Sequence, residues 1–490
     1  MKSTQLNLLI DKRIKRWFQI LNSLERGSSL QKKLAQSLDI STKTILADIK
    51  EIEPYFNQSI TIAASANGYT LTINDKVAYT DLKKKLLEHE PLLAILSGIF
   101  YGNLMSIFDW ADQLFLADRT LIRYLKKLTP VLEHYQLKMT YPQLSLEGKE
   151  IDIRNFFLAI FYEEDTIPHY IFPPILINTI MADLSKVEFN HFQLDLPQYK
   201  MSYLLFITFQ RISNGYTLEI DNVMIKPYLS NALKQLEFSF EKHTGFHLNS
   251  SDLVYLMLMM SNSNSYNSAL ELAPTCEEDI MSSSLQLTVS LCNELGILDD
   301  KQARKFIHSF FQLNYLKNAA SVTCLFLPPS LIYYNNIHYK KELTLLKKFL
   351  KKYSDILLID HSAEFEQTLL VFTIRLMYKL NQKSYNIAFI FEGSSEMTLL
   401  LEDITRTYMP SGHSIYFFRA NTLLEEEFAK CSIDLVVTNF SEYIFELPEE
   451  MKYLLFSYHP TPDDWNELIK IIDPRLNTKY KISTALNTTE

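Results

Sequence analysis

Apolar residues recur at helical spacing in two segments of the first third of the chain, and polar residues occupy the opposite faces. The segments are LAQSLDISTKTILADIKEIEP, residues 34–54, and WADQLFLADRTLIRYLKKLTP, residues 110–130, which align without gaps at an offset of 76. Each has a small residue, Ala35 or Ala111, on a short first helix and apolar residues at i, i+4 and i+7 on a second helix. A repeat of this kind indicates one supersecondary unit that occurs twice.

Each repeat predicts a helix-turn-helix, because a small residue lets two helices cross closely next to a short turn. The second helices are expected to begin at polar caps, Ser41 in the first repeat and Asp118 in the second. Their predicted buried faces are Ile45, Ile49 and Ile52, and Leu121, Leu125 and Leu128. Residues near the N-terminal end of such a second helix contact base edges in the major groove. The candidate DNA-binding residues are Ser41, Thr42, Lys43, Thr44, Arg119, Thr120, Arg123, Lys126 and Lys127.

The segments that flank the repeats also match each other. A predicted helix precedes each repeat, at residues 14–24 and 91–102. A predicted hairpin follows each one, strongly marked by Asn67-Gly68 in residues 59–73 and weaker in residues 137–150, where Lys138 and Lys149 are candidate phosphate contacts. The alternative is two ordinary amphipathic helix pairs, but the common offset and the common flanks favour two winged helix-turn-helix units. The second is the more basic, so we expect it to dominate DNA affinity.

The pattern changes twice along the rest of the chain. From about residue 165 to 384 it predicts long helices in two bundles, and after that short buried strands alternate with helices, which is typical of a parallel sheet. The predicted fold is multidomain and mainly α. The predicted domains are two winged helix-turn-helix units at 1–76 and 77–168, two helical bundles at 169–282 and 283–384, and an α/β domain at 385–490.

Composition narrows the class of protein. Residues 1–150 carry 20 Lys and Arg against 16 Asp and Glu, whereas the remainder carries 28 against 41, so DNA contact is expected only in the first third. The four cysteines show no CxxC spacing, which argues against a zinc or redox site. The chain shows no signal peptide, and no uncharged apolar run reaches the ~18 residues of a membrane span. These features predict a cytoplasmic protein without a membrane partner.

This organisation resembles the Mga/AtxA family of virulence regulators from Gram-positive bacteria. The resemblance is strongest in RTLIRYLKKL (119–128), in RISNGYTLEI (211–220), which is similar to the Arg-x-x-x-Gly segment of phosphotransferase-regulated (PRD) domains, and in residues 386–408. It implies a transcription regulator, not an enzyme and with no cofactor, that binds double-stranded promoter DNA and activates virulence or sugar-linked genes. It further implies PRD-like bundles phosphorylated on histidine by proteins of the sugar phosphotransferase system, and an EIIB-like tail supporting a homodimer or higher oligomer.

Two departures from the family pattern affect these expectations. An active EIIB domain needs a nucleophilic cysteine in its first loop, but residues 392–396 here are EGSSE, and Cys431 is expected in the core. The tail is therefore expected to perform no phosphotransfer. Leu204 and Met259 occupy the approximate places of the phosphorylated histidines of the first PRD-like block.

Other histidines remain candidate phosphate acceptors. Neutral imidazole is nucleophilic near neutral pH, so a histidine can accept phosphate. We rank His308, in KFIHSFF, and His191, in FNHFQLDLP, above His247. His169, His243 and His361 are less favoured. For each, the alternative is a neutral histidine hydrogen-bonded between helices. Two other functions stay open: an EIIB-like phosphotransferase, against which the missing cysteine argues, and an RNA-binding antiterminator with PRD domains, against which the paired helix-turn-helix units argue.

Overall fold

The computed structural model is mostly helical, with two hairpins near the N-terminal end and a small sheet near the C-terminal end. It describes residues 4–65, 67–163, 171, 173–184, 198–220, 231–260, 278–359, 363–380, 385–409, 412–418, 431–445, 447–448 and 450–472. The chain divides into two compact units, residues 1–370 and 371–490. In the described part of the chain, no helix combines the length and the apolar character needed to cross a membrane.

In the first repeat two helices joined by a short turn are followed by a two-stranded hairpin, and we call residues 4–73 the first winged unit. Its elements are α1 (Thr4–Leu8), α2 (Lys12–Glu25), α3 (Gln31–Leu38), α4 (Thr42–Phe56), β1 (Ile60–Ser65) and β2 (Gly68–Ile73). The strands form the predicted antiparallel hairpin, with Ile60 opposite Ile73. Gly68 has a φ of +102°, and a Cβ there would lie 2.3 Å from the carbonyl oxygen of Ser29, so this wing requires glycine at the turn. The predicted apolar face of α2 is buried at Trp17, Ile20, Leu21 and Leu24.

The second repeat folds in the same way. Its elements are α5 (Lys76–Lys85), α6 (Pro91–Tyr101), α7 (Ile107–Gln113), α8 (Asp118–His134), β3 (Lys138–Thr140) and β4 (Ser145–Glu147). The weaker predicted hairpin is thus confirmed, with Lys138 opposite Glu147. In each unit, an isolated antiparallel β-bridge pairs the segment before the helix-turn-helix with the wing. The pairs are Ser29 with Tyr69 in the first unit and Ser106 with Gln143 in the second.

The middle of the chain is helical, as the pattern predicts. The helices are α9 (Glu150–Leu158), α10 (Ile175–Leu184), α11 (Gln198–Ser213), α12 (Asn231–Thr244), α13 (Ser250–Met260), α14 (Glu278–Leu295), α15 (Lys301–Ala320), α16 (Pro329–His338), α17 (Lys340–Lys352) and α18 (Ala363–Leu380). A π-helical turn, Ala159–Glu163, continues α9, and a 3-10 turn, Val322–Leu325, follows α15. The sequence of residues 264–279 also predicts a linker between the two bundles, but this segment lies almost entirely outside the described residues, and the division into two bundles stays a prediction.

The C-terminal unit contains the predicted parallel sheet. Its strands are β5 (Asn386–Ile390), β6 (Ser414–Phe417), β7 (Leu435–Thr438) and β8 (Tyr453–Leu455), and its helices after α18 are α19 (Ser395–Tyr408), α20 (Glu442–Phe445) and α21 (Pro462–Ile472). The sheet order is β6-β5-β7-β8, and all neighbours are parallel. β5 and β7 are central, which explains why their residues are almost completely buried.

Candidate nucleic-acid interface

The turn between the two helices of each repeat has the same backbone geometry. Asp39 and Phe115, again 76 residues apart, each adopt a left-handed φ of 54°. The amide of Ile40 donates to the carbonyl of Ala35 at 3.0 Å, and that of Leu116 donates to Ala111 at 2.8 Å. The sequence repeat therefore extends to the hydrogen bonds that close the turn, and the second helices leave the turns in the same way.

The start of the second helix differs between the repeats. In the first, the Ser41 hydroxyl accepts a hydrogen bond from the Thr44 amide at 3.1 Å and lies 2.8 Å from the Thr44 hydroxyl, so the predicted cap is confirmed. In the second, the expectation of an Asp118 cap is wrong, because the cap position is Ala117, which has no side-chain acceptor. Asp118 instead occupies the first turn of α8, where its charge interacts favourably with the helix dipole.

The buried faces of α4 and α8 are those predicted from the apolar spacing. Ile45, Ile49 and Ile52 are buried on α4, and Leu121, Leu125 and Leu128 are buried on α8. Because a helix turns about 100° per residue, the residues opposite these faces lie at i, i+4 and i+7. On α4 they are Lys43, Ala47 and Lys50, and on α8 they are Arg119, Arg123 and Lys126, all exposed. We call these the α4 stripe and the α8 stripe. Each position of one stripe is 76 residues from its equivalent, and α8 has an arginine where α4 has alanine.

Acidic side chains on α4 are held by other parts of the first unit. Arg16 of α2 contacts both carboxylate oxygens of buried Asp48, at 2.7 and 2.9 Å. Arg13 lies 3.6 Å from Glu51 in an exposed ion pair. The Glu53 carboxylate accepts a hydrogen bond from the wing amide of Ile62 at 3.2 Å. These contacts engage the helix's acids away from Lys43 and Lys50, so the α4 stripe keeps a positive character.

The cations of α8 are more numerous and less engaged. Within the described residues, none of Arg119, Arg123, Lys126 and Lys127 forms an ion pair within 4.0 Å. The guanidinium of Arg123 and the ammonium of Lys127 lie 5.6 and 5.7 Å from the ring centre of Tyr124, at cation–π distance. Lys127 is also near enough to buried Glu90 to influence its pKa, which places it on the flank of the stripe. The α8 stripe is therefore available to phosphate or to base edges.

The two wings differ in the number of basic residues that they carry. The first wing, β1 and β2, contains no charged residue, whereas Lys138 and Lys149 are exposed on and beside the second. Among the exposed aromatic residues of the second unit, two that the sequence pattern did not indicate lie in the turn and at the wing tip: Phe115, 95% exposed, and Tyr141. The repeat offset could have drawn attention to Phe115, because it aligns with the polar Asp39.

The junction between the two winged units is built around Glu90. This residue precedes α6 and is 2% exposed, and its carboxylate accepts hydrogen bonds from the amides of Ile10 and Asp11 at 2.6 and 3.3 Å. Burial raises the pKa of the Glu90 carboxyl, and those two amides oppose the rise. The side-chain amide of Gln5 donates to the carbonyl of Ile160 at 2.7 Å. The first helix of the chain is therefore fastened to the second unit.

A buried ion network joins the second winged unit to the helical region. Arg154 of α9 is fully buried and contacts Glu150 at 3.1 Å and Asp252 of α13 at 2.7 Å. Arg211 of α11 contacts both oxygens of Glu150, at 2.9 and 2.7 Å. Two arginines and two carboxylates balance in charge, as buried ions require. The arginine of the RISNG segment thus bonds to the helix that follows the second wing.

The candidate phosphate acceptors have different surroundings. His308 of α15 has a buried Nε2 without a hydrogen-bond partner in the described residues, and its ring bonds to the backbone of Met281. Burial lowers the pKa of His308, which favours the neutral, nucleophilic imidazole. His247 is exposed and lies 3.8 Å from Glu237 and 3.6 Å from Glu241. His191 lies outside the described residues, as do the less favoured His169 and His361, and His243 lies 2.8 Å from Asp183.

Comparison with known proteins agrees with this geometry. Residues 75–161 match the family model of the Mga helix-turn-helix domain, a span that covers the second winged unit and α9. No curated protein matches the chain. The match supports a relationship to the Mga family of regulators, and it suggests that the chain is a DNA-binding transcription regulator.

Proposed function

We propose that this protein regulates transcription by binding double-stranded promoter DNA through both winged units, with α8 as the main recognition helix. The observation that carries the proposal is the α8 stripe, Arg119, Arg123 and Lys126, which is exposed and lies inside the segment that matches the Mga helix-turn-helix domain. Arginine can bond bidentately to guanine or to phosphate, which makes such a stripe suited to duplex DNA. The acidic remainder of the chain disfavours other contacts with phosphate.

Salt dependence tests this proposal directly. The full chain should bind duplex fragments with an affinity that falls linearly in log–log form as salt rises, because each neutralised phosphate releases condensed counterions. If both units contact phosphate, the slope of log affinity against log salt concentration should be several times the slope that a single phosphate contact gives. Fluorescence anisotropy with labelled duplexes measures it, and single-stranded RNA of equal length separates the DNA-binding function from the antiterminator. Tighter binding to the RNA than to every duplex would contradict the proposal.

We propose that the helical region answers to the sugar phosphotransferase system through phosphorylation of His308, and secondarily of His191 and His247. What supports His308 is its neutral imidazole and its place between buried aromatic residues of α15, Phe306, Phe310 and Phe311. A phosphoryl group would add roughly −1.5 to −2 charges there. Since Nε2 is enclosed, α14 and α15 would have to separate for the transfer, and the modified side chain would hold them in a changed packing.

Phosphate transfer can be measured on the purified protein. Incubation with the general phosphotransferase proteins and labelled phosphoenolpyruvate should label the wild type and should label His308→Ala much less. His338→Ala, which changes a histidine at the end of α16, serves as the matched control and should be labelled like the wild type. Absence of label, or equal label on a protein lacking His308, His191 and His247, would remove the regulatory proposal and leave DNA binding untouched.

We propose that the C-terminal unit supports a homodimer or higher oligomer and performs no phosphotransfer. The loop after β5 is held by polar contacts: Asn439 bonds to the backbone of Glu392 at 2.7 and 2.9 Å, and Tyr443 bonds to its carboxylate at 2.5 Å. Ser394 caps α19 at the place where phosphotransfer would need a thiol. Sedimentation of the full chain measures the oligomeric state.

A further inference from the structure

A cavity of about 120 Å³ lies inside the first compact unit, where α9, α11, α15 and the segment after the Val322–Leu325 turn converge. We call it the Lys317 pocket. It is bordered by residues from the second winged unit and from both predicted helical bundles. The residues that matter for its chemistry are Tyr135, Asn155, Lys200, Asn314, Lys317 and Phe326.

Two lysines, Lys200 and Lys317, border the pocket. In the described part of the chain, the Lys317 ammonium has neither an ion pair nor a side-chain hydrogen bond. Burial, and then repulsion by Lys200, lower the pKa of Lys317 to about 8. Cys324 beside it is neutral, since burial raises its pKa to about 11. Lys317 is half-buried, and a cation partly withdrawn from water without a counter-ion favours a bound anion.

Among the described residues that border the cavity, none carries a carboxylate. Asp152, behind Thr323, accepts hydrogen bonds from the hydroxyls of Ser321 and Thr323 instead. It contributes to the environment of Cys324, but it is not among the causes that shift the pKa of Lys317. The charges that face the cavity are therefore both positive.

The amide groups that border the cavity differ in what they can donate. Asn155 already bonds to Thr323 and Cys324 through its nitrogen and accepts from Tyr255 through its oxygen. The Asn314 nitrogen makes one bond, to the carbonyl of Phe310 at 2.7 Å, and keeps a second hydrogen. Lys317 and the second N–H of Asn314 are thus available as donors at the border of the cavity.

We propose that the Lys317 pocket binds a small phosphate-bearing anion and acts as an effector site. A phosphate monoester carries nearly two negative charges at neutral pH, which match Lys200 and Lys317. Lysine binds phosphate as a point charge and needs no bidentate geometry. A volume of about 120 Å³ is close to that of the ~150 Å³ cavity that accepts benzene, so the pocket suits a small ligand such as a phosphate with a short carbon chain.

The pocket touches the end of the recognition helix. Phe326 stacks on His134, the last residue of α8, with ring centres 4.3 Å apart, and contacts Tyr135 at 5.2 Å. Both Tyr135 and Phe326 border the cavity. A ligand that orders Phe326 would therefore bias the position of α8. This coupling rests on the proposed DNA-binding function, whereas ligand binding itself does not.

Binding is tested on the full chain by calorimetric titration with glycerol 3-phosphate, inorganic phosphate and, as the uncharged control, glycerol. We expect saturable binding of phosphate-bearing probes at low millimolar concentration or below, and none of glycerol. Tighter binding of glycerol 3-phosphate would identify an ester as the ligand, whereas equal binding would identify the phosphate itself. Absence of saturable binding by either, or equal binding of glycerol, would overturn the proposal.

A matched pair of variants locates the site. Lys317→Met should weaken phosphate binding by about tenfold or more, since a charge-assisted hydrogen bond is lost. It should also raise the melting temperature of the unliganded protein, because an uncompensated half-buried charge is removed. Lys305→Met makes the same change at an exposed position of the same helix and should alter neither. Equal affinities in the wild type and in a folded Lys317→Met protein would overturn the assignment.

The wild type alone provides a second test. Phosphate stays a dianion above about pH 7, while the Lys317 ammonium loses its proton near pH 8. Affinity should therefore fall as pH rises from 7 through 9, and a flat profile would contradict the proposal even if Lys317→Met did not fold. Adding glycerol 3-phosphate to DNA-binding assays then tests the coupling: unchanged DNA affinity would refute the coupling alone.

Discussion

Replacing Asp252 with asparagine should destabilise the first compact unit by about 3–5 kcal/mol, because it leaves an arginine buried without its counter-charge. Arg154 is fully buried, and within the described residues it forms ion pairs with Glu150 and Asp252. Glu150 also serves Arg211, so it cannot compensate for both arginines. Asparagine has nearly the shape of aspartate, so the loss reports the charge and the hydrogen bonds that the carboxylate accepts from Arg154 and Asn249, and not packing. Thermal and urea unfolding of the full chain measure it.

A surface pair provides the control for this change. Asp81→Asn removes the charge of an exposed residue that lies 3.9 Å from Lys84, and such pairs contribute about 0–1 kcal/mol. Adding Arg154→Met to Asp252→Asn should recover part of the lost stability, since the unpaired charge disappears and Glu150 still neutralises Arg211. If Asp252→Asn unfolded at the same temperature and urea concentration as Asp81→Asn, the network would not stabilise the fold.

The buried ion network also links the second winged unit to the helical region. It joins α9, just after the second wing, to α11 and α13 of the helical region through charges that cannot be separated cheaply in a buried site. A rearrangement in the helical region would therefore reach the second winged unit through Arg211 and Glu150, as it would through Phe326 and His134. We expect Asp252→Asn to weaken DNA binding through the loss of folded protein, at temperatures where it is partly unfolded.

The sequence predicts best those features that depend on local spacing. The buried faces of α4 and α8 follow from helical periodicity. The first hairpin follows from the tight turn that Asn67-Gly68 favours. The parallel sheet follows from alternating strands and helices, although its order, with β5 between β6 and β7, is not encoded in any local pattern. The Ser41 cap is local as well, and it is confirmed.

One local prediction was wrong. A polar residue at the start of α8 can stand at the cap or in the first turn, and the turn geometry places Ala117 at the cap and Asp118 in the first turn.

Contacts between residues far apart in the sequence were not predicted. The pairing of Arg16 with Asp48, the Glu90 junction and the Arg211–Glu150 contact join residues 32 to 80 positions apart. Nothing in one sequence shows such partners. The sequence nevertheless identified which of the two repeats has the more basic second helix, because that difference is a matter of composition.

The largest effect on DNA binding is expected from Arg119→Ala combined with Arg123→Ala. If each arginine makes one good contact, each loss should cost about 1–3 kcal/mol, so the double variant should lose about 2–6 kcal/mol and bind promoter fragments about thirtyfold to twenty-thousandfold more weakly. Both side chains are exposed and make no ion pair within the described residues, so stability should change little. Gel-shift or anisotropy titrations measure the affinity.

The repeat supplies matched controls for that experiment. Lys43→Ala removes the α4 equivalent of Arg119 and should weaken binding less, whereas Ala47→Arg gives α4 the arginine that α8 has at position 123 and should strengthen binding. If the arginines contact phosphate, their loss should also reduce the salt slope by about one per contact, whereas a base contact would relax sequence preference at one position. Unchanged affinity in the double variant, together with abolished binding in Lys43→Ala, would assign the dominant contacts to α4 and reverse the ranking of the two units.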